Sequence, residues 1–402
     1  MVALIRRRQA CGNGCGGEAQ RANDQLITMR ITDVRALWLS APLEQPIGGS
    51  SRKKTWFNRQ AVLVEVHTDE DLVGIGEVFT TVPEVALVAV SKFYQPLLLG
   101  ENPLDIERLW EKMYFGAGYS GVKGVMIEAL SGIDIALWDL RGKVENRPVW
   151  QLLPSSSRPL SPAPLPAYAA GGFWAPLADT LAEITGYVAH GFASVKMKVG
   201  LGIEEDGQRI AAVRQTIGND VKLMIDANCG YTADQAIALG KRVEEHNVYW
   251  FEEPVLVEDW DGYKKVRESL SMKIAGGEGE YTRWGFRELI GRGCVDIAQP
   301  DVMRCGGLTE SVKIAQIAAQ HNVAYAPHVF CSIVGLAASL HLAAVAPSFE
   351  IFEFDMTPNP LRTHLAKTPI EVKDSRVSVP NGAGLGIELD DDALARYMVV
   401  RA

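Results

Sequence analysis

The sequence is poor in cysteine, in long apolar runs and in net positive charge, and each shortage excludes a class of protein. Six cysteines are scattered over 402 residues, which does not resemble a disulfide framework. No apolar run approaches the ~20 residues that a membrane-spanning helix needs. The formal net charge of −9 and the pI near 5.4 argue against nucleic acid or an anionic membrane as a partner. We therefore expect a soluble, cytoplasmic protein that acts on a small molecule.

Apolar, strand-like runs in the second half of the chain end in polar residues at a regular interval. Asp226, Glu252 and Glu278 end three such runs, and 26 residues separate each from the next. Steps of 23 to 28 residues continue the series on both sides. The full series is Lys198, Asp226, Glu252, Glu278, Asp301, His328 and Glu353. One polar residue per strand at this spacing indicates a repeated strand–helix unit. In a (β/α)8 barrel the carboxyl ends of all strands meet at one mouth, where active sites lie.

The fold predicted from these patterns is α/β: a (β/α)8-type barrel, or modified TIM barrel, with an α+β capping domain. Residues 1–28 fit neither pattern and are predicted to be a disordered or non-native tail. Strand-like runs followed by helical periodicity assign residues 29–155 to the capping domain. The barrel domain is predicted to span 156–355, after a boundary rich in proline and serine. Residues 356–402 have no barrel period left to complete, so we expect them to pack on the capping domain.

Three carboxylates at the ends of neighbouring strands form a hard, oxygen-only set of ligands. Without cysteine or histidine among Asp226, Glu252 and Glu278, such a set suits Mg²⁺ better than Zn²⁺. The alternative is that the three carboxylates are unrelated and cap helices or pair with lysines. Their regular spacing favours the metal site.

Lys196 and Lys198 lie at positions i and i+2 of a predicted strand, so both side chains point to the same face. Two ammonium groups in the barrel interior repel each other. Burial, this repulsion and a nearby metal ion would together lower a lysine pKa from about 10.4 towards about 7, where it serves as a base. The alternative is a solvated pair of lysines on an edge strand.

Asp301 and His328 end consecutive predicted strands. A carboxylate bonded to one imidazole nitrogen fixes the tautomer and raises the basicity of the other nitrogen, which would give a second acid/base group opposite Lys198. The alternative is a core histidine beside a helix cap. His341 falls inside a helical run and is expected to be a packing or surface residue. Glu353 is a candidate contact for a substrate oxygen, and Asn228 is a weaker one.

These residues together resemble the enolase superfamily and, within it, the mandelate racemase subgroup. The resemblance covers the chain from about Met29 to its end. The matching motifs are Lys196-Met-Lys198, Asp226-Ala-Asn228, Glu252-Glu-Pro254, Gly277-Glu278, Gln299-Pro-Asp301, His328 and the stretch Ser131–Lys143. Muconate-cycloisomerase-like relatives instead carry a second lysine at the position of Asp301.

The resemblance implies a role for each motif. The three carboxylates would bind Mg²⁺, which would chelate a substrate carboxylate. Lys198 would be one acid/base group, and His328, supported by Asp301, would be the other. Lys196 would help to neutralise the substrate carboxylate, and Glu353 would hydrogen-bond to it in the enolate.

The implied reaction removes the proton α to a carboxylate and then expels a β-hydroxyl as water. The substrate would be a sugar acid, either an aldonate or an aldarate, and the product a 2-keto-3-deoxy acid. The alternatives are a racemase or epimerase of a 2-hydroxy acid and, more remotely, a non-catalytic binding protein on the same fold. The loop Ile47–Arg59, which contains Arg52-Lys-Lys54, would suit a dianionic acid or be a solvated hairpin tip. We also predict a homo-oligomer.

Overall fold

A computed structural model describes residues 29–48, 55–155 and 162–402. The predicted tail at 1–28 and the basic residues 52–54 of the loop lie outside these ranges, so both interpretations stay predictions. No helix in the described ranges has both the length and the apolar character needed to cross a membrane.

The first three strands of the described residues belong to a four-stranded antiparallel sheet in the order β14-β1-β2-β3. The strands are β1 (Ile31–Ile47), β2 (Trp56–Thr68), β3 (Val73–Val78) and β14 (Met398–Arg401). The predicted hairpin is the connection between β2 and β3. The described end of the chain therefore returns to pair with its first strand.

Helices cover one face of this sheet. They are α1 (Pro83–Val88), α2 (Gln95–Leu98), α3 (Ile106–Ala117), α4 (Val125–Glu145) and α5 (Val149–Leu152). A π-helical turn at 89–94 joins α1 to α2. The α4 backbone packs very closely on β3, because a Cβ placed on Gly76 would lie 2.0 Å from the carbonyl oxygen of Gly132. A side chain at position 76 would separate the helix from the sheet.

Eight parallel strands form the barrel, and their apolar runs are buried on both faces, as closed parallel sheets require. They are β4 (Leu165–Ala170), β5 (Ser194–Lys198), β6 (Lys222–Asp226), β7 (Val248–Glu252), β8 (Lys273–Gly276), β9 (Ile297–Ala298), β10 (Ala324–Tyr325) and β11 (Phe352–Asp355). Neighbours in sequence are neighbours in the sheet, and β11 pairs with β4. The hydrogen bond from Tyr325 N to Ser348 O, 2.8 Å long, ties β10 to the segment before β11.

A helix follows each of the first seven barrel strands within the described residues. These helices are α6 (Leu177–Ala189), α7 (Ile203–Ile217), α8 (Ala233–Arg242), α9 (Trp260–Ser269), α10 (Thr282–Gly291), α11 (Gly307–Gln320) and α12 (Ile333–Ala343). Between β11 and the next strand, the described residues contain a single helix, the four-residue α13 (Pro360–Thr363). The eighth strand–helix repeat therefore lacks a full-length helix, and the chain continues from the barrel to the N-terminal sheet.

The segment after the barrel contacts both parts of the molecule. The short hairpin of β12 (Val372–Lys373) and β13 (Arg376–Val377) pairs with barrel strand β4. The helix α14 (Asp391–Tyr397) then leads into β14 beside β1. We keep the four-part division at 28/29, 155/156 and 355/356 as a proposal.

Two carboxylates of the N-terminal part hold the amino ends of two barrel helices. Glu77 at the end of β3 accepts hydrogen bonds from Ser332 N, Ser332 Oγ and Gly335 N, at 2.9, 2.5 and 2.8 Å. Asp134 in α4 accepts from Thr309 N and Oγ1, at 2.9 and 2.5 Å. Negative charge is favourable at a helix amino end, where N–H groups lack partners. These contacts fix α11 and α12, the helices that follow the Asp301 and His328 loops.

Candidate functional site

The structure brings all nine predicted site residues to one mouth of the barrel. Six of them line a cavity of about 440 Å³: Lys196, Lys198, Asn228, Glu278, His328 and Glu353. The other three lie beneath its floor and bond to residues that line it: Asp226 to Lys198, Glu252 to Lys196, and Asp301 to His328. The barrel geometry therefore collects side chains that are spread over some 155 positions of sequence.

The three carboxylates are close enough to share one cation. Asp226, Glu252 and Glu278 each offer an oxygen, and these oxygens lie within 4.8 Å of one another. Asp226 and Glu252 are buried, whereas Glu278 is partly exposed to the cavity. Glu278 Oε2 has no hydrogen-bond partner among the described residues. An all-oxygen set with such an orphaned atom fits a hard divalent cation.

Lys196 is a buried counter-ion within this group. Its Nζ lies 2.6 Å from Glu252 Oε1, 2.7 Å from Glu353 Oε1 and 3.6 Å from Asp226 Oδ2. Burial lowers the pKa of Lys196, but Glu252 and Glu353 outweigh burial and raise this pKa well above its usual value. Lys196 therefore stays charged and suits the neutralisation of an anion better than proton transfer.

Lys198 is surrounded by carboxylates that the strand pattern did not indicate. Burial lowers the pKa of Lys198 and repulsion by Lys196 lowers it further, but the bonded carboxylate of Asp226 raises it above the usual lysine value. Burial and the neighbouring lysine alone therefore do not lower this pKa, and the predicted lowering depends on the third contribution, a nearby metal ion. Lys198 Nζ also lies 5.3 Å from the centre of the Phe173 ring, at the edge of the cavity.

His328 and Asp301 form a bonded pair. His328 Nδ1 lies 2.7 Å from Asp301 Oδ2, and Asp301 Oδ1 accepts a hydrogen bond of 2.8 Å from Met303 N. His328 Nε2 faces Glu278 Oε2 at 3.6 Å. Burial lowers the pKa of His328, but the charge of Glu278 and the bond to Asp301 raise it to about 10. The imidazole is thus oriented by a carboxylate and presents its other nitrogen to the cavity.

Asn228 connects two of the three carboxylates. Its backbone N–H donates to Asp226 Oδ1 at 2.8 Å, and its side chain donates to Glu278 Oε1 at 3.4 Å. Asn228 also lines the cavity. The structure therefore places it where it can contact a bound molecule.

An aromatic wall encloses the cavity, and the sequence analysis did not find it. The wall consists of Trp56, the first residue of β2, and Phe79, which directly follows β3, together with Phe173 and Phe330 from barrel loops. The ring centre of Phe330 lies 5.9 Å from that of Trp56 and 6.1 Å from that of Phe173. No periodic signal marks these residues, because two of them reach the mouth from a separate sheet.

Cationic and acidic neighbours of the cavity were also missed. Arg304 lines the cavity and donates to Glu128 Oε1 and to the backbone oxygen of Glu278, both at 3.1 Å. Arg59 of β2 donates to Asp355 Oδ2 at 2.6 Å and lies 3.8 Å from the centre of the Phe330 ring. Arg304 follows Asp301 closely in the chain, so its position beside a predicted site residue was the only available signal.

Two family models match the chain. The model described as the N-terminal domain of mandelate racemase / muconate lactonizing enzyme matches residues 31–154. The model described as enolase C-terminal domain-like matches residues 179–393. Together they cover most of the described structure.

Individual relatives match over most of their length. D-galactarolactone cycloisomerase of Agrobacterium fabrum is 40% identical, and the match covers 92% of this chain and 99% of that protein. Arabinonate dehydratase of Saccharolobus solfataricus is 36% identical, over 84% of this chain and 90% of that protein. A solved structure, a racemase from Streptomyces coelicolor A3(2) with bound magnesium, has a TM-score of 0.84 at 29% identity, over 92% of this chain and 100% of that one.

Proposed function

The chain belongs to the enolase superfamily, in its mandelate racemase and muconate lactonizing enzyme group, and we propose that it removes the proton α to the carboxylate of a sugar acid. Elimination of the β-hydroxyl as water then gives a 2-keto-3-deoxy acid. The observation that supports this proposal is the convergence of three carboxylates, two lysines and an imidazole on one cavity. The dehydratase among the relatives is named for a sugar acid, which agrees with this reaction.

Asp226, Glu252 and Glu278 would hold Mg²⁺. Their oxygens suit this cation, and the racemase of similar structure is described with bound magnesium. When bound, Mg²⁺ supplies a Lewis acid that takes up the negative charge developing on the substrate carboxylate. Asn228, which bonds to two of these carboxylates, keeps them in place.

Lys198 and His328 are proposed to transfer the protons. Lys198 contacts Asp226 and His328 faces Glu278, so the two groups flank the carboxylate set from opposite ends. A substrate carboxylate bound there would present its α-carbon between them. Either group is a base only when neutral. A cation bound by Asp226 and Glu278 would lower the pKa values of Lys198 and His328, because these carboxylates are among the groups that raise them.

The remaining proposed roles concern charge and leaving group. Lys196 neutralises the substrate carboxylate, and Glu353, held 2.7 Å from Lys196, donates to the same group in the enolate when it is protonated. Burial raises the pKa of Glu353, but Lys196 and His328 outweigh burial and lower it; a substrate carboxylate that takes Lys196 as its counter-ion would raise this pKa. His328 in its protonated form donates a proton to the departing hydroxyl, with Asp301 holding the ring in position. Donors already in place stabilise the extra negative charge without reorganisation.

A second candidate is opening of a sugar-acid ring by the same first step. If the β-oxygen belongs to a lactone or ether ring, its expulsion opens the ring and releases no water, so the product is an isomer. The aromatic wall favours this candidate, because the flat carbon face of a sugar ring packs well on aromatic rings. The relative at 40% identity is named as a cycloisomerase of a lactone.

The test is exchange of the α-proton in D₂O with Mg²⁺ across a panel of aldonates, aldarates and their lactones. A 2-keto-3-deoxy acid formed with loss of water supports dehydration, and an open-chain 2-keto-3-deoxy acid formed from a lactone without loss of water supports ring opening. Exchange that yields only the substrate and its epimer supports a racemase or epimerase. No exchange with any acid would refute the proposed function and favour a binding protein.

The proton-transfer roles are tested by substitution. We expect Lys198→Ala and His328→Asn each to abolish turnover while the circular dichroism spectrum is unchanged. Lys241→Ala, at an exposed lysine of α8, is the matched control and should keep full activity. Turnover retained in either site variant would refute the assignment of two acid/base groups.

A further inference from the structure

Glu253 is a buried carboxylate of the cavity that the proposed proton and metal chemistry does not use. It follows Glu252 directly in the chain, is 3% exposed and lines the same cavity. Its Oε1 has no hydrogen-bond partner among the described residues. Its Oε2 lies 3.5 Å from Cys229 Sγ, a weak donor. A buried carboxylate oxygen without a donor is costly, so its retention calls for a partner that arrives with the substrate.

The backbone around Glu253 is held in an unusual conformation. Glu253 has a φ of +42°, and Asn228 and Cys229 on the neighbouring loop have φ values of +40° and +63°. None of the three is glycine, for which this region is easy. Cys229 N donates to Glu253 O at 2.8 Å, so the two loops hold each other. Backbone strain of this kind is typical of functional sites, where it fixes the position of a side chain.

The surroundings of Glu253 select the kind of partner. The lining residues that come from the same two loops, apart from Asn228, are Cys229, Leu256, Val257 and Glu258, and none of them carries positive charge. The lysines that would neutralise a carboxylate project instead from β5. A substrate carboxylate near Glu253 would therefore find no positive counter-ion there, whereas a neutral hydroxyl can donate to its free oxygen.

From this geometry we propose that Glu253 Oε1 accepts a hydrogen bond from a hydroxyl of the substrate and thereby selects polyhydroxy acids over simple 2-hydroxy acids. This inference rests on the proposed function, since it concerns a sugar acid bound by its carboxylate at Lys196. Glu253 would bind the part of the substrate away from the reacting carbons. It is a specificity-determining residue, and no bond is made or broken at it.

The test compares Glu253→Met, which removes the acceptor, with Glu253→Gln, which keeps a neutral one. For the best sugar acid we expect Glu253→Met to raise KM by about 10- to 100-fold, as leaving a buried hydroxyl donor without an acceptor does, with a smaller increase for Glu253→Gln. Analogues that each lack one hydroxyl identify the donor. For one of them, wild type and Glu253→Met should have the same KM.

Two controls distinguish substrate binding by Glu253 from support of the metal site and from a general effect of removing a negative charge. Calorimetry should give the same Mg²⁺ affinity for wild type and Glu253→Gln. Glu245→Gln removes an exposed carboxylate outside the cavity and should leave KM unchanged. The inference is overturned if Glu245→Gln raises KM as much, if Mg²⁺ affinity falls, or if every deoxy analogue shows the same loss.

Two failures remain distinguishable. If wild type neither binds nor converts any sugar acid, the proposed function is wrong and the inference falls with it. If wild type converts a sugar acid and both Glu253 variants keep its KM, only the inference is wrong.

Discussion

His341 should make the stability of this protein depend on pH in a measurable way. The ring lies in α12, is 0% exposed and makes two hydrogen bonds. Trp150 N donates to Nδ1 at 3.2 Å, and Nε2 donates to Leu385 O at 3.0 Å. One neutral ring therefore joins the N-terminal part, the barrel and the C-terminal segment. Protonation of His341 Nδ1 would turn this acceptor into a donor, so that two N–H groups, those of Nδ1 and of Trp150 N, would face each other.

The magnitude follows from the pKa of His341. Burial lowers this pKa from 6.5 to about 4 in the folded protein. Since the folded pKa is below the unfolded one, the stability is complete above the unfolded pKa and is lost as pH falls through the folded pKa. A difference of about 2.5 units corresponds to about 3 kcal/mol lost between about pH 7 and about pH 4.

The assay is denaturant unfolding at several pH values, followed by tryptophan fluorescence, because Trp150 reports on this junction directly. Many groups titrate in acid, so the useful quantity is the difference between wild type and His341→Gln. Glutamine does not titrate, and the advantage of wild type should shrink by about 3 kcal/mol on acidification. A difference that stays constant from about pH 7 to about pH 4 would refute the reasoning. His190→Gln, at an exposed helix end, is the matched control.

Three further outcomes are expected. Chelation of divalent cations should abolish turnover without unfolding the protein, and added Mg²⁺ should restore it; activity that survives chelation would contradict the metal site. Asp301→Asn removes the charge that His328 bonds at 2.7 Å, so kcat should fall by about 10²- to 10⁴-fold with KM little changed, and a loss below about tenfold would exclude the pairing as important. Arg59→Met breaks the buried ion pair with Asp355, 2.6 Å long, and should lower the free energy of unfolding by about 3 kcal/mol. Arg35→Met, at a partly exposed ion pair, should cost less than about 1 kcal/mol, and equal losses in the two variants would contradict this account.

The barrel and its polar strand ends could be predicted because parallel strands repeat at a nearly constant interval. Asp226 and Glu252 are the last residues of β6 and β7, as the apolar runs indicated. Asp301 and His328 lie a few residues beyond short strands, yet the spacing still placed them at the same mouth. Periodicity therefore carried information about the site as well as about the fold.

Contacts between distant elements could not be predicted in this way. Glu77 bonds to Ser332, 255 positions away, and no local pattern marks either residue as a partner. The aromatic wall was missed for the same reason. The carboxylates that raise the pKa of Lys198 were missed as well, because a strand pattern shows the neighbour at i+2 and not the charges across the barrel. His341, expected to pack or to face solvent, has a precise pair of partners that only the three-dimensional structure reveals.

The sheet beside the barrel mouth draws its strands from both sides of the barrel in the chain. Its edge strand, β14, comes after all eight barrel strands, whereas β1, β2 and β3 come before them. During synthesis on the ribosome, β1, β2 and β3 are made before any of the barrel strands, and β14 is made after all of them. The strand that completes the edge of this sheet is thus made after the barrel, and a nascent chain would have an unfinished sheet edge, open to pairing with another chain, until that strand arrives.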